Sequence, residues 1–209
     1  MIVEFILTGL IGYLLGSIPT AVWVGKAWHG IDVREHGSKN AGATNTFRVL
    51  GKKPGIVVLT IDILKGILAV LFPFLLAFLS HGSTVSSIDH LQIGAAIFAV
   101  LGHMFPIFAG FKGGKGVATS LGIIIGMQPI AAAICIVVFL IVFISFNFVS
   151  LGAIVASLIF PVIVVMRHPE STEMHVFSFI LAGAVILAHR KNIKRLIKGE
   201  ESKMNLFKK

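Results

Sequence analysis

A chain of 209 residues that is 56% hydrophobic and only 13% charged carries about half the charge of a soluble domain, for which roughly 25% is usual. Its apolar runs at 56–61, 67–79, 93–101 and 130–144 place it in a membrane, where each crossing needs about 20 mostly apolar residues. The net charge of +9 comes from basic residues flanking those runs, which fits cytoplasmic loops beside anionic lipid and argues against nucleic acid as a partner.

The first predicted span covers 4–25. Glu4 precedes it and Lys26 follows it, the reverse of a cleaved secretory signal, so a retained span with its N-terminus outside is expected. Within it, Gly16-Ser17-Ile18-Pro19-Thr20 predicts a kink that frees backbone groups near the inner face. Spans follow at 55–80 and 91–109. Asp62 and Lys65, one turn apart in the second span, are expected to pair and hold helices in place. The run 117–144 has turn chemistry at Gly126-Met127-Gln128-Pro129 and reads as two short spans, 117–130 and 131–147. Cys135 is alone, so neither a disulfide framework nor a cysteine metal site is expected.

Spans at 151–166 and 175–190 complete an all-α integral membrane protein of seven transmembrane helices, some short, forming one domain over 1–209. The N-terminus is then outside and the C-terminus cytoplasmic. Inner segments hold Lys26, Arg34, Lys39, Arg48, Lys52, Lys53, Lys112, Lys115 and eight more from Arg190 to Lys209, which is 16 of the 18 basic residues. Arg167 falls in an outer loop and Lys65 within a span, so the bias follows the positive-inside rule. A five-span alternative, with 117–144 unsplit, also ends inside but moves Ser145–Ser150 to the outer face.

Polar residues are costly in such a chain, so their clusters point to function. The first inner loop runs His36-Gly37-Ser38-Lys39-Asn40-Ala41-Gly42-Ala43-Thr44-Asn45 to Arg48. Small residues let backbone approach a ligand, Ser, Asn and Thr supply neutral hydrogen bonds, and Arg48 adds a planar donor suited to phosphate. The second inner loop, Gly110-Phe111-Lys112-Gly113-Gly114-Lys115-Gly116-Val117-Ala118-Thr119, leads glycines into a helix start. Its backbone N–H groups, helix dipole and two lysines are expected to face an anion. It is one residue short of a Walker A loop, and Gly116 replaces the Ser/Thr that would hold magnesium, so phosphate binding without nucleotide hydrolysis is the reading. A third cluster, His189-Arg190-Lys191-Asn192-Ile193-Lys194-Arg195-Leu196 then Gly199-Glu200, puts His189 and Asn192 on one helix face. His103, before Met104-Phe105-Pro106, reads as a helix-end hydrogen-bonding residue.

In order and spacing these pieces resemble the acyl-phosphate-dependent glycerol-3-phosphate acyltransferases of bacterial membranes, the PlsY family. The residues that carry the resemblance are Gly16-Ser17-Ile18-Pro19, Gly37 through Asn45, Asp62-Ile63-Leu64-Lys65-Gly66, Gly102-His103 with Phe111 through Thr119, and His189-Arg190-Lys191-Asn192. It implies a seven-helix enzyme of the bacterial inner membrane, with its site facing the cytoplasm. Fatty acyl phosphate and glycerol 3-phosphate would be its substrates and membrane lipid its surroundings. No cofactor or metal is implied, and nothing is implied about oligomeric state. With the polar clusters, it gives Ser150, His189, Asn192 and Lys115 as catalytic. Ser38, Asn40, Thr44, Asn45, Arg48, Lys112, Gly113, Gly114, Gly116 and Thr119 are then substrate-binding. Glu200 matches an acidic position tied to structural integrity, while Lys39 and Ala41 stand where the family commonly has Gly and Pro.

The expected chemistry is direct attack of the glycerol 1-hydroxyl on the acyl carbonyl, since acyl phosphate is already activated and needs no serine intermediate. None of the eight histidines has Asp five residues on, and only His168 has Glu173, which argues against the His-x-x-x-x-Asp route through coenzyme A or acyl carrier protein. The rival reading is a small transporter of a phosphorylated solute, which would show broken helices and midplane polar groups. Polar motifs gathered at one face suit an enzyme better.

Overall fold

The computed structural model describes residues 2–79 and 85–204. Ser80, which ends the second predicted span, and Lys208 and Lys209 of the basic tail lie outside the described residues. Every regular element among the described residues is helical: α1 (Ile2–Gly16), α2 (Thr20–His29), α3 (Ala43–Leu50), α4 (Lys52–Leu79), α5 (Val85–Met104), α6 (Val117–Met127), α7 (Pro129–Phe146), α8 (Val149–Arg167), α9 (Thr172–Ala188) and α10 (Arg190–Ile197). Short 3₁₀ turns occupy Val33–Glu35 and Ile107–Ala109.

Helices occupy all seven predicted stretches. Five of these are long and apolar enough to cross a membrane, and a sixth forms if α9 and α10, bent by 60°, count as one span. The remaining helix, α6, has 11 residues, about 16 Å at 1.5 Å per residue and short of a ~30 Å core. The predicted breaks have clear local causes. Pro19 precedes α2 and cannot donate an N–H, so α1 stops at Gly16 and α2 starts afresh at Thr20. Gln128 leaves helical geometry at φ −142° and ψ 66°, and Pro129 opens α7 where its missing N–H does no harm.

The chain divides into two compact units, Met1–Met127 and Gln128–Lys209. In the first, α1 packs along α5, and α4 packs against α5 and α6. Small residues let these backbones touch, as is usual where lipid supplies no hydrophobic drive between helices. A Cβ on Gly12 or Gly16 would strike the carbonyls of Ala95 or Ala99, and one on Gly66 or Gly122 would strike those of Thr119 or Ile63. Ala21, Val33 and Val58 form a buried core beneath the first loop, with Val24, Ala43 and Leu50 packed on it.

In the second unit, α7 packs on α8 and α8 on α9, through short connections that make neighbours antiparallel. The tail returns to the start of α8: the Met204 N–H donates to the Asn147 carbonyl at 2.8 Å, and the Lys203 ammonium lies 5.7 Å from the Phe148 ring centre. Residues 147–150 and the C-terminal tail therefore share one end of this unit. The five-span alternative would instead put Ser150 and the tail on opposite faces.

Candidate active site

The first loop is shaped by Asp32, which accepts three hydrogen bonds, and Asn45, which both accepts and donates. Asp32 caps the 3₁₀ turn through Arg34 N–H at 3.0 Å and binds the Arg34 guanidinium through both carboxylate oxygens, at 2.9 and 2.7 Å. The Arg34 hydrogen bond holds the Asp32 carboxyl down at about 2, against the opposing effect of burial, and Asp32 in turn raises Arg34. Asn45, fully buried, saturates its amide locally. Its oxygen accepts from the Ser38 N–H at 2.8 Å and the Ser38 hydroxyl at 3.1 Å, and its nitrogen donates to the Val33 and His36 carbonyls at 2.7 and 3.1 Å. Asn45 was expected to bind substrate; its side chain instead builds the loop that presents Ser38. Asn40 and Thr44 are half-buried, and Ser38 and Arg48 are exposed.

The second loop folds onto the first. The Arg34 guanidinium donates to the carbonyls of Ala109 and Lys112, at 2.7 and 3.3 Å. Asp32, Arg34, Glu35, Lys39, Lys112 and Gly113 line a cavity of about 400 Å³ between the loops. One expectation is corrected here. The N–H groups of Gly113 and Gly114 do not await an anion but donate to the Met104 and His103 carbonyls, at 3.2 and 3.1 Å, closing the end of α5. The helix start remains: Ser120 N–H bonds the Gly116 carbonyl at 2.7 Å, so α6 opens at Val117 with its positive end behind Gly116, whose φ of +80° suits glycine. Lys112 is exposed and Lys115 half-buried.

Beneath this loop lies a polar network among α2, α4, α5 and α6. The Lys65 ammonium pairs with Asp62 at 2.8 Å and donates to the Ile18 carbonyl at 2.9 Å, a group freed by the Pro19 break. Asp62 also accepts from the Thr20 hydroxyl at 3.1 Å. His103 Nδ1 lies 3.1 Å from the Thr119 hydroxyl and 3.8 Å from the Asp62 carboxylate. Thr119, expected to touch substrate, is fully buried and turned to His103.

In the second unit the centre is Glu201. Its Oε1 accepts from the Ser150 hydroxyl at 2.7 Å and the Asn192 amide at 2.6 Å, and its Oε2 accepts from Arg195 Nε at 2.7 Å. Burial opposes ionisation of Glu201, but the bonds from Arg195, Ser150 and Asn192 outweigh it and hold the carboxyl below the usual glutamate range. Gly199, at φ +70°, turns the chain back after α10 while Glu200 N–H bonds the Arg195 carbonyl at 2.8 Å, a Schellman-type end that aims residue 201 at α10. Glu200 itself is exposed, so the organising carboxylate is one residue later than expected. His189 sits at the bend between α9 and α10 and is buried, with Nδ1 2.8 Å from the Val185 carbonyl. A carbonyl can only accept, so Nδ1 is the protonated nitrogen in this contact and Nε2 is the other ring nitrogen.

A family model for glycerol-3-phosphate acyltransferases matches residues 6–199. The chain belongs to the glycerol-3-phosphate acyltransferase family. A relative named glycerol-3-phosphate acyltransferase from Salinibacter ruber is 42% identical over 95% of this chain and 91% of its own. Solved structures of PlsY, an integral membrane glycerol 3-phosphate acyltransferase, are similar in sequence and fold. Its glycerol 3-phosphate form superposes with a TM-score of 0.83 at 35% identity, covering 98% of this chain and 99% of that one. Its lysophosphatidic acid form gives 0.81 at 35% identity, covering 96% and 95%. The protein is thus an all-α integral membrane acyltransferase of phospholipid synthesis.

Sequence reasoning missed four residues that organise these polar clusters. Asp32 and Arg34 stand two apart in a loop, where spacing alone does not announce a clamp. His103 was taken as a helix end, although a histidine directly before a glycine-rich loop is a usable signal. Glu201 was passed over for Glu200, because register after Gly199 is decided by a single left-handed residue.

Proposed function

We propose that this acyltransferase moves the acyl group of a fatty acyl phosphate to the 1-hydroxyl of glycerol 3-phosphate, releasing lysophosphatidic acid and phosphate. It works as one membrane-embedded domain with seven spans, its polar ends at the cytoplasmic face of the bacterial inner membrane. The observation that carries this reading is the Arg34 clamp, which folds two cationic polar loops onto one another around a cavity of about 400 Å³. Both substrates bear phosphate, and PlsY, whose solved forms hold glycerol 3-phosphate and lysophosphatidic acid by name, shares the fold.

The roles follow from the side chains of each unit. Lys115 and Arg48 hold phosphate charge, assisted by Lys112, the start of α6 behind Gly116, and the Ser38, Asn40 and Thr44 side chains. Gly113 and Gly114 contribute close backbone approach. Asn45 and Thr119 act through the residues they hold. The glycerol hydroxyl attacks the acyl carbonyl, a new ester C–O bond forms, and the C–O bond to phosphate breaks. Phosphate leaves readily once its charge is held. His189 Nε2 receives the hydroxyl hydrogen, while Ser150 and Asn192, fixed by Glu201, orient the reacting groups.

Purified protein offered acyl phosphate, acyl coenzyme A and acyl carrier protein with glycerol 3-phosphate tests the donor. Turnover with acyl phosphate alone is expected, and turnover with acyl coenzyme A alone would overturn the assignment. For topology, cysteines at Ser38, Lys112, Ser150 and Lys203 in a Cys135→Ala background should all resist an impermeant reagent in intact cells. Reaction at any of the four would overturn the cytoplasmic placement.

A further inference from the structure

His103 meets the glycine-rich loop three times. Its carbonyl accepts the Gly114 N–H at 3.1 Å, its ring lies where a Cβ on Gly114 would have to go, and its Nδ1 is 3.1 Å from the Thr119 hydroxyl. The opposite side of Gly114 is closed as well, since the same Cβ would come within 3.0 Å of the Ala41 carbonyl in the first loop. Gly114 is therefore gripped between the first loop and an imidazole. That imidazole is fixed from below. Thr119 cannot shift, because its carbonyl abuts Gly66 of α4, and Asp62 stands 3.8 Å from the ring, itself held by Lys65 and Thr20.

Stability alone does not account for such a network. A buried ion pair is often matched or bettered by apolar residues of similar volume, so its presence under a loop calls for a geometric reason. The loop supplies one. Glycines 113 and 114 give the chain latitude that only an outside support can remove, and a phosphate site needs its backbone set before the ligand arrives.

We propose that His103 is a positioning residue for phosphate-substrate binding, oriented by the Thr119 hydroxyl and Asp62 so that its ring and carbonyl set Gly114. The inference rests on the reading of the glycine-rich loop as a phosphate-substrate site. It goes beyond that reading by assigning work to a buried cluster that does not itself touch the substrate.

Thr119→Val keeps shape and removes the hydroxyl, while Thr119→Ser keeps the hydroxyl. With purified protein, acyl phosphate and glycerol 3-phosphate, Thr119→Val should raise the KM for glycerol 3-phosphate at least fivefold with kcat within threefold of the parent. Thr119→Ser should return KM to within twofold. Asp62→Asn should move KM in the same direction as Thr119→Val. An unchanged KM in Thr119→Val, or a kcat loss without a KM change, would overturn the proposal, as would failure of Thr119→Ser to restore KM. Thermal unfolding in detergent is measured alongside, and if Thr119→Val does not fold, Thr119→Ala is judged by the same criteria. The underlying reading fails separately, by absence of acyl transfer to glycerol 3-phosphate in the unaltered protein.

Discussion

Asp62 and Glu201 are both buried carboxylates that hold polar side chains of their own unit, yet one comes from the middle of a 28-residue helix and the other from a tail beyond the last described helix. Asp62 is built in with its counter-charge three residues on, so its ion pair is local while its contacts to Thr20 and toward His103 tie distant helices together. Glu201 has its counter-charge six residues back, on Arg195 of α10, and it gathers Ser150 from 51 residues away and Asn192 from nine. The difference teaches where each device is vulnerable. Loss of Asp62's partner strands a charge among helices, whereas loss of Glu201 leaves helices intact and releases Ser150 and Asn192, the groups proposed to align the chemistry.

The sharpest way to break the comparison is to remove one charge from the helix pair. Lys65→Met should lower the thermal midpoint strongly, since breaking a buried pair on one side costs about 3–5 kcal/mol, and Asp62→Asn with Lys65→Met should recover most of that loss. If single and double variants melt alike, the pair is not the support described.

Next in size is the tail. Glu201→Ala should cut turnover by about 100-fold, equivalent to about 2.7 kcal/mol and within reach of lost hydrogen bonds to a charged group. The neighbouring Glu200→Ala should stay within about twofold, because that side chain is exposed and surface changes are usually small. Equal defects in the two would mean that the tail register is wrong.

A smaller effect is expected at Gly114. Gly114→Ala should raise the KM for glycerol 3-phosphate by about tenfold, or about 1.4 kcal/mol, with less change in turnover, because the added methyl meets the His103 ring and the Ala41 carbonyl. A kcat-only loss would contradict the binding role.

The mildest test uses acidity. Glu201 has its pKa lowered by folding, so its contribution is fully present above the ordinary glutamate range and fades as pH falls through the lower folded value. Proteolysis at Lys203 should therefore stay constant from neutral pH down to the ordinary glutamate range and accelerate as pH falls from there toward the lower folded value. Acceleration near neutrality would contradict the depressed carboxyl.

Much of this arrangement was legible in the residues. Pro19 and Gln128-Pro129 mark breaks because proline lacks a donor, and helices end there. The polar loops stood out because uncompensated polar groups are rare in an apolar chain. Less legible was the use to which each polar group is put. Glycines 113 and 114 carry the composition of an anion cradle, yet the carbonyls left open at the end of α5 claim their N–H groups first. Asn45 reads as a ligand residue by type, and only its burial against Val33 and His36 reveals a structural role. Glu200 and Glu201 are the same residue type side by side, and the left-handed turn at Gly199 alone decides which one points inward.

The placement of Glu201 has a consequence for biosynthesis. A ribosome makes residue 201 after every described helix, so α7 to α10 can enter the bilayer before the carboxylate that binds Ser150 and Asn192 exists. Insertion and assembly of this hydrogen-bonded cluster are thereby separable in the life of the nascent chain. A polypeptide ended early by a stop codon between Gly199 and Glu201 would carry all ten described helices without the Glu201 carboxylate and, on the proposed roles of Ser150 and Asn192, would occupy membrane space as an inert copy. On that proposal, accuracy at codon 201 is a condition for catalysis although it is none for insertion.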